Sequence, residues 1–152
     1  MHQTVDISIA IESDVPALCI LLAQLFSQEL EFTPNIEAQH RGLLSIIQNP
    51  NIGFILIGKL DGIAVGMVNI LFTVSTALGA RVAILEDMVV SDAYQGLGTG
   101  SKLLQHAVKE AKNQQCKRIT LLTDTSNDAA QKFYQKHGFT QSSMLPFRLV
   151  LN

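Results

Sequence analysis

Three glycines and two carboxylates stand close together in the middle of the chain, and their types and spacing could support chemistry. Gly96, Gly98 and Gly100 follow an apolar, strand-like stretch and precede an amphipathic helix. Glycines leave backbone N–H groups uncovered, and such groups at the positive end of a helix dipole bind a phosphate or pyrophosphate well. Glu86 and Asp87 lie on the preceding strand. The sequence therefore predicts an anion-binding cofactor site beside a reaction centre.

Composition and charge limit the classes of protein to be considered. The chain has 152 residues, of which 47% are apolar and 16% charged, which is typical of one ordered globular domain over residues 1–152. Its net charge of −2 gives no electrostatic case for a nucleic-acid partner or an anionic membrane. No apolar stretch approaches the ~20 residues of a membrane span, and the first residues lack a signal-peptide pattern, so we expect a cytoplasmic protein.

The cysteines and histidines do not predict a metal site. Cys19 and Cys116 stand alone, without the spacing of a metal or redox motif, and are typical of buried thiols in a reducing compartment. The four histidines share no ligand spacing. We therefore expect a protein that uses no metal.

Hydrophobic periodicity and turn residues predict the element order β-α-α-β-β-β-α-β-α-β-β. Helices are expected after Ser13 and Asp14, over residues 36–48, after the glycines, and from Asn127 or Asp128 to Gly138. Asp61-Gly62 is a strong hairpin pattern. Strands are expected at residues 7–11, 53–60, 63–72, 80 or 81 to 90, and 118–123, with a closing pair at 139–143 and 147–151.

Two well-known phosphate-binding loops fit the glycines poorly. A P-loop requires G-x-x-x-x-G-K-[ST], and here Gly100 is followed by Ser101-Lys102, with no glycine five residues earlier. A Rossmann loop requires G-x-G-x-x-G close behind its strand, but residue 101 is serine and residues 91–95 separate the strand from the first glycine. Asp124 follows the next strand, where a ribose-binding acid would be expected, so a dinucleotide-binding site remains a weaker alternative.

A third pattern, [RQ]-x-x-G-x-[GA], is met by residues 95–100. Here the sequence resembles the GNAT superfamily of acetyl-CoA-dependent N-acetyltransferases. Three segments carry the resemblance in the family's order: residues 85–90, residues 94–104, and Asn127 with residues 133–139. The resemblance implies an α/β fold, α+β by some schemes, with a mostly antiparallel mixed sheet of about seven strands. That sheet would be splayed at the cofactor cleft and flanked by about four helices.

The resemblance also implies where acetyl-CoA binds. Its pyrophosphate would lie on the glycine bend, and its pantetheine arm would pair with the preceding strand, where a backbone N–H near Val89 would stabilise the developing oxyanion. Many relatives carry arginine at the position of Gln95 and isoleucine at that of Thr99, and the missing guanidinium would weaken the phosphate contact somewhat. The implied contacts are Met88, Val89, Val90, Gln95, Gly96, Leu97, Gly98, Thr99, Gly100, Ser101, Asn127 and Tyr134.

Two residues are implied as catalytic. Glu86 is the candidate base, acting directly or through water, because polyamine-acetylating relatives carry an acid at that position. It could also only bind a cationic substrate, or be a surface residue of the strand. Asp87 must point to the opposite sheet face unless a bulge intervenes. Tyr134 is the candidate acid for the departing thiolate, although it could be a core aromatic, and Asn127 could be a plain helix cap.

The acceptor implied by the resemblance is a primary amine of a small molecule, polyamine- or diamine-like or aminoalkylphosphonate-like, that attacks directly in a ternary complex. Residues 29–48 and 73–81 would determine its identity. Two alternatives stay open: a catalytically silent acyl-CoA-binding regulator, and a protein or peptide N-acetyltransferase. A homodimer is compatible with this apolar chain.

Overall fold

The computed structural model describes residues 4–28 and 35–152. It contains two compact units, the first ending at Leu122 and the second comprising Thr123–Asn152. The predicted break at Thr33 and Pro34, and the part of the predicted acceptor region at residues 29–34, lie outside the described residues. No helix in the described ranges is both long and apolar enough to cross a bilayer.

The first unit is built on one sheet. Across the sheet the described strands follow chain order, β1 to β5, with antiparallel pairing up to β4 and parallel pairing of β4 with β5. Short 3-10 turns at Glu12–Asp14 and Asp92–Tyr94 join its elements. The elements are β1 (Asp6–Ile9), α1 (Val15–Gln28), α2 (Ile36–Ile47), β2 (Gly53–Leu60), β3 (Ile63–Ser75), β4 (Ala80–Val90), α3 (Thr99–Asn113) and β5 (Ile119–Leu121).

Turn residues place several of these boundaries. Asp61 and Gly62 have φ values of 50° and 78°, the two positive angles that a tight turn between antiparallel strands requires, so the predicted hairpin joins β2 to β3. The Asn35 side chain accepts a hydrogen bond from the Ala38 N–H at 3.1 Å and caps α2.

The helices of the first unit cover both faces of the sheet. Leu18 and Leu22 of α1 share a buried cluster with Met67 of β3 and Val89 of β4. On the opposite face, a Cβ added to Gly66 would lie 2.8 Å from Cδ1 of Leu103 on α3. Because successive strand residues alternate between faces, α3 packs on the face opposite to α1. Glycine at position 66 therefore lets the start of α3 approach β3.

The second unit contains α4 (Asp128–Lys136), which ends before Gly138 at a φ of 94°. Residues 139–152 form neither helix nor strand. The predicted closing strands at 139–143 and 147–151 are therefore wrong, and the sheet of the described residues has five strands instead of about seven. An extended segment becomes a strand only where another backbone pairs with it. No such pairing reaches this segment within the described chain, and Pro146 has no N–H to donate.

We expect Gly66→Ala to lower the free energy of unfolding by about 1–3 kcal/mol, because the added Cβ meets the buried Leu103 side chain and the Val89 carbonyl oxygen at 3.2 Å. Gly42→Ala is the control. Gly42 lies within α2 with no atom within 4 Å of an added Cβ, so its change should stabilise by about 0.5–1 kcal/mol. Urea denaturation of both variants checks this, and an unchanged or raised stability of Gly66→Ala would contradict the packing argument.

Candidate functional site

The pairing of β4 with β5 is short. It covers only Ala83 to Leu85 of β4, whereas β4 continues to Val90. The Ser91 N–H donates to the Val65 carbonyl at 2.8 Å, so the backbone groups of residues 91 and 89 face β3. Since backbone groups alternate in direction along a strand, those of Met88 and Val90 face the side that β5 has left. The predicted splay between β4 and β5 is present. The Met88 and Val90 amides face the space between these strands, whereas the Val89 amide faces β3.

A β-bulge lies where β4 leaves β5. In the pairing with β3, Leu85 is opposite Ile70 and Asp87 is opposite Asn69, so Glu86 is the additional residue. A bulge interrupts the strict alternation that would send neighbouring side chains to opposite faces. The bulge therefore removes the expected obstacle to Glu86 and Asp87 contacting one substrate. Glu86 is exposed and Asp87 is half-buried.

Asp87 has an unusual environment for a carboxylate. Burial raises its pKa above the ordinary value, and the nearby charge of Glu86 raises it further, while a hydrogen bond from Asn69 Nδ2 to Asp87 Oδ2 at 3.0 Å acts in the opposite direction. Asn69 is itself buried, and its Oδ1 has no hydrogen-bond partner. Carboxylates with a pKa perturbed in this way are concentrated at functional sites. Asn69 was missed from sequence, where its only sign was an amide within the apolar run of β3.

The glycine bend has the geometry of an anion site. Gly96 and Gly98 have φ values of 82° and 80°, and a Cβ added to either would meet no atom within 4 Å. Gly98 caps α3 without a side chain, and the Lys102 N–H donates to its carbonyl at 3.1 Å. The Thr99 and Gly100 amides, which precede Lys102 in the helix, therefore have no intrahelical acceptor. Open space above uncovered amides fits a phosphate group.

Two glutamines hold the link between β4 and the bend. Gln24 of α1 donates to the Val90 carbonyl at 2.9 Å and accepts from the Asp92 N–H at 3.1 Å. Gln95 donates to Asp92 Oδ1 at 3.1 Å and to the Val90 carbonyl at 3.3 Å. Gln95 thus supports the bend through its side chain. Gln24 was not predicted, since nothing within the α1 sequence indicates a contact so distant along the chain.

Three other predicted cofactor contacts, Leu97, Thr99 and Ser101, differ in how far they are buried. Thr99 is buried, with an Oγ1 that has no hydrogen-bond partner. Its Cγ2 lies 3.5 Å from the position of a Cβ on Gly66, so Thr99 anchors the start of α3 on β3. Leu97 is exposed, and Ser101 is half-buried.

The second unit holds the remaining two predicted residues. Asn127 Oδ1 accepts a hydrogen bond from the Ala130 N–H at 3.0 Å and so caps α4. The Tyr134 ring packs edge-on against Phe133 and Phe139, with centroid distances of 5.2 Å and 5.6 Å. Burial raises the pKa of Tyr134 from its ordinary value of 10.0 to about 12, and its hydroxyl is protonated at neutral pH at either value.

The sequence matches the model of the Acetyltransferase (GNAT) family over residues 20–139, which is most of the chain. The chain belongs to this family. The resemblance predicted from residues 85–139 is thereby confirmed, and so is the predicted fold apart from the number of strands. Acetyltransferases of this family use acetyl-CoA.

Individual relatives agree with the family. The chain is 28% identical over 125 residues to the uncharacterized N-acetyltransferase YhfO of Bacillus subtilis (strain 168), covering 80% of this chain and 83% of that protein. The fold of this chain is similar to that of the aminoglycoside N-acetyltransferase AAC(6')-Iy in complex with CoA, with a TM-score of 0.83 and 19% identity. The match covers 99% of this chain and 97% of that protein. It is also similar to the aminoglycoside acetyltransferase meta-AAC0020 from an uncultured soil metagenomic sample, in complex with sisomicin, with a TM-score of 0.79, 18% identity and 97% coverage of both chains.

We expect Asp87→Asn to stabilise the protein at neutral pH by about 1 kcal/mol, because it removes a half-buried charge and supplies a donor for Asn69 Oδ1. The folded-state pKa of Asp87 lies above its ordinary value of 3.8, so this residue makes the wild-type stability fall as the pH rises from 3.8 through the folded-state pKa. The advantage of Asp87→Asn should therefore vanish below that window.

Denaturant unfolding between pH 3.5 and 8 would measure this difference. Asp6→Asn, a change at an exposed aspartate of β1, is the control and should give the wild-type pH dependence. A loss of stability in Asp87→Asn at neutral pH would contradict this description of the carboxylate.

Proposed function

We propose that this chain is an N-acetyltransferase that moves an acetyl group from acetyl-CoA to a primary amine of a small molecule. Membership of the acetyltransferase family supports acyl transfer. The observation that carries the proposal is the first unit's arrangement: β4 leaves β5 at a bulge with two carboxylates, and the glycine bend follows directly.

The bound donor supplies an acetyl group activated as a thioester. In this proposal the backbone N–H groups of residues 96–101 bind its pyrophosphate, and the edge of β4 from Met88 to Val90 pairs with its pantetheine arm. The amides of Met88 and Val90 face that edge, so one of them stabilises the negative charge that develops on the thioester oxygen. The family resemblance also implies that Asn127 and Tyr134 contact the donor.

The two carboxylates at the bulge act on the acceptor. Glu86 takes a proton from the ammonium form of the amine, directly or through water, and the neighbouring Asp87 carboxylate attracts a cation. The neutral amine then attacks with both substrates bound, so that their placement in contact supplies much of the rate. Tyr134, whose hydroxyl is protonated at neutral pH, gives a proton to the departing sulfur as the C–S bond breaks, and the attacking nitrogen loses its second proton to solvent.

Two carboxylates side by side favour a polycationic acceptor. A diamine- or polyamine-like amine suits this charge better than an aminoalkylphosphonate, whose anionic group the carboxylates would repel. The closing strands predicted at residues 139–143 and 147–151, which resemble those of aminoalkylphosphonate acetyltransferases, do not form. The sisomicin complex of one structural neighbour makes aminoglycosides worth including among the tested amines.

We further propose that both units belong to one acetyltransferase domain over residues 1–152. The match to the family model crosses the boundary at Leu122, which supports a single functional domain. We also infer a cytoplasmic location from the lone cysteines, which are typical of a reducing compartment.

Turnover is measured by release of free thiol from acetyl-CoA with diamines, polyamines, aminoglycosides and aminoalkylphosphonates. We expect Tyr134→Phe to lower kcat by about 10²- to 10⁴-fold, because the variant has no proton for the sulfur, and to leave acetyl-CoA affinity within about threefold of wild type. Tyr94→Phe, at the other tyrosine of the chain, is the matched control and should retain wild-type turnover.

In the same assay Glu86→Gln should lower kcat/KM for the amine and leave acetyl-CoA binding unchanged. If acetyl-CoA binds but no amine is acetylated by the wild-type protein, the chain is an acyl-CoA-binding regulator or requires a peptide acceptor. Turnover that survives in Tyr134→Phe would contradict the assigned acid.

A further inference from the structure

Asn69 is a polar residue in an apolar layer of the sheet. It is 4% exposed and stands on β3 between Ile55 of β2 and Asp87 of β4. Because side chains alternate along a strand, Asn69 shares its face with Met67, a member of the buried cluster that includes α1. Its Oδ1 has no hydrogen-bond partner among the described residues. A buried amide of this kind costs free energy that an apolar side chain would not cost, so core stability does not explain it.

The other end of the same amide holds the Asp87 carboxylate. Asn69 Nδ2 donates to Asp87 Oδ2 at 3.0 Å, and the two residues lie directly opposite each other on neighbouring strands. A carboxylate with one oxygen fixed by a buried donor has lost most of its rotational freedom before any ligand arrives. The amide therefore gives Asp87 a defined orientation beside the bulge.

Asp87 lacks a neighbouring cation in the described structure. Burial raises its pKa above the ordinary value, the hydrogen bond from Asn69 lowers it, and the negative charge of Glu86 raises it. Two of these three influences oppose the charged form of the carboxyl group. A positive ligand would offset both of them.

Other charged groups around this face are paired or exposed. The elements β3 and α1, as far as the structure describes them, contain no charged residue. Lys59 of β2 pairs with Asp14 at 2.8 Å, and Arg81 of β4 stacks on an aromatic ring. The charged residues of α2 are exposed, and they are Glu37, His40 and Arg41. A positive charge on the acceptor would therefore meet a carboxylate that no described cation neutralises.

We propose that Asn69 is a positioning residue that fixes Asp87 as the contact for the second ammonium group of a diamine acceptor, while Glu86 serves the amine that is acetylated. The inference rests on the proposed acetyl transfer. An ammonium group offers three N–H donors, and its hydrogen bonds to a carboxylate are charge-assisted. Asn69 contacts Asp87 and not the acceptor, so its effect passes through that carboxylate.

Steady-state kinetics with 1,4-diaminobutane and butylamine tests the contact, because butylamine lacks the second ammonium group. The wild-type KM for the diamine should be at least about 10-fold below that for butylamine. Asn69→Val should raise the KM for the diamine about 10-fold, with kcat within about threefold of wild type, and should affect butylamine less. Asn113→Val, the same change at an exposed asparagine of α3, is the matched control and should have wild-type kinetics.

Two further readouts separate positioning from a general loss of packing. In the Asp87→Asn background, Asn69→Val should change the KM for the diamine by less than about twofold, whereas independent effects would multiply. The pH profile supplies the second readout. The Asn69 hydrogen bond lowers the pKa of Asp87, so its loss raises that pKa. As the pH falls, diamine affinity in Asn69→Val should therefore begin to decline at a higher pH than in the wild type.

Nuclear magnetic resonance of the wild-type protein tests the contact without turnover or a variant. The side-chain amide of Asn69 should shift on addition of 1,4-diaminobutane and much less with butylamine, and that of Asn113 should respond to neither. Absence of the diamine shift would overturn the inference. Equal KM values for the two amines, or effects of the two substitutions that multiply, would also overturn it and leave acetyl transfer standing. A diamine shift without acetylation of any amine would keep the cation contact and remove the proposed function.

Discussion

The departure of β4 from β5 is the constraint on which the rest of the first unit's site depends. Parallel pairing stops at Leu85, the bulge at Glu86 follows, and the last residues of β4 keep one edge for another extended chain. Contacts on both sheet faces hold this arrangement: Gln24 of α1 binds the end of β4, and Leu103 of α3 packs over Gly66. The bend that follows is consequently fixed in position while its amides stay uncovered.

The same region contains features that do not favour stability. A half-buried carboxylate with a raised pKa, a buried amide oxygen without a partner at Asn69, and a buried hydroxyl without a partner at Thr99 each carry a desolvation cost. These three lie on or beside β4, whereas a further buried atom without a hydrogen-bond partner, Gln39 Oε1, belongs to α2. Local violations of good packing and polar pairing are expected where a fold maintains a functional site.

Much of the fold and of the candidate site could be predicted from sequence, because these features depend on local sequence patterns. β2 and β4 have their predicted bounds, the Asp61-Gly62 turn forms, and the glycines precede α3 as expected. What could not be predicted depends on contacts between distant residues. The contact of Asn69 with Asp87 and that of Gln24 with Val90 join residues 18 and 66 positions apart. The prediction of closing strands at residues 139–143 and 147–151 was wrong for the same reason, since an apolar pattern becomes a strand only when a partner backbone is present.

Calorimetric titration with acetyl-CoA, with NADH as the control ligand, tests the central claim most directly. The account predicts micromolar binding of acetyl-CoA and no binding of NADH. Gly98→Ala should weaken acetyl-CoA binding, while Gly62→Ala should not, although both place a side chain at a φ near 80° in open space and should cost similar stability. Absence of acetyl-CoA binding to the wild-type protein would contradict the account and leave the bend as an anion site without an assigned ligand.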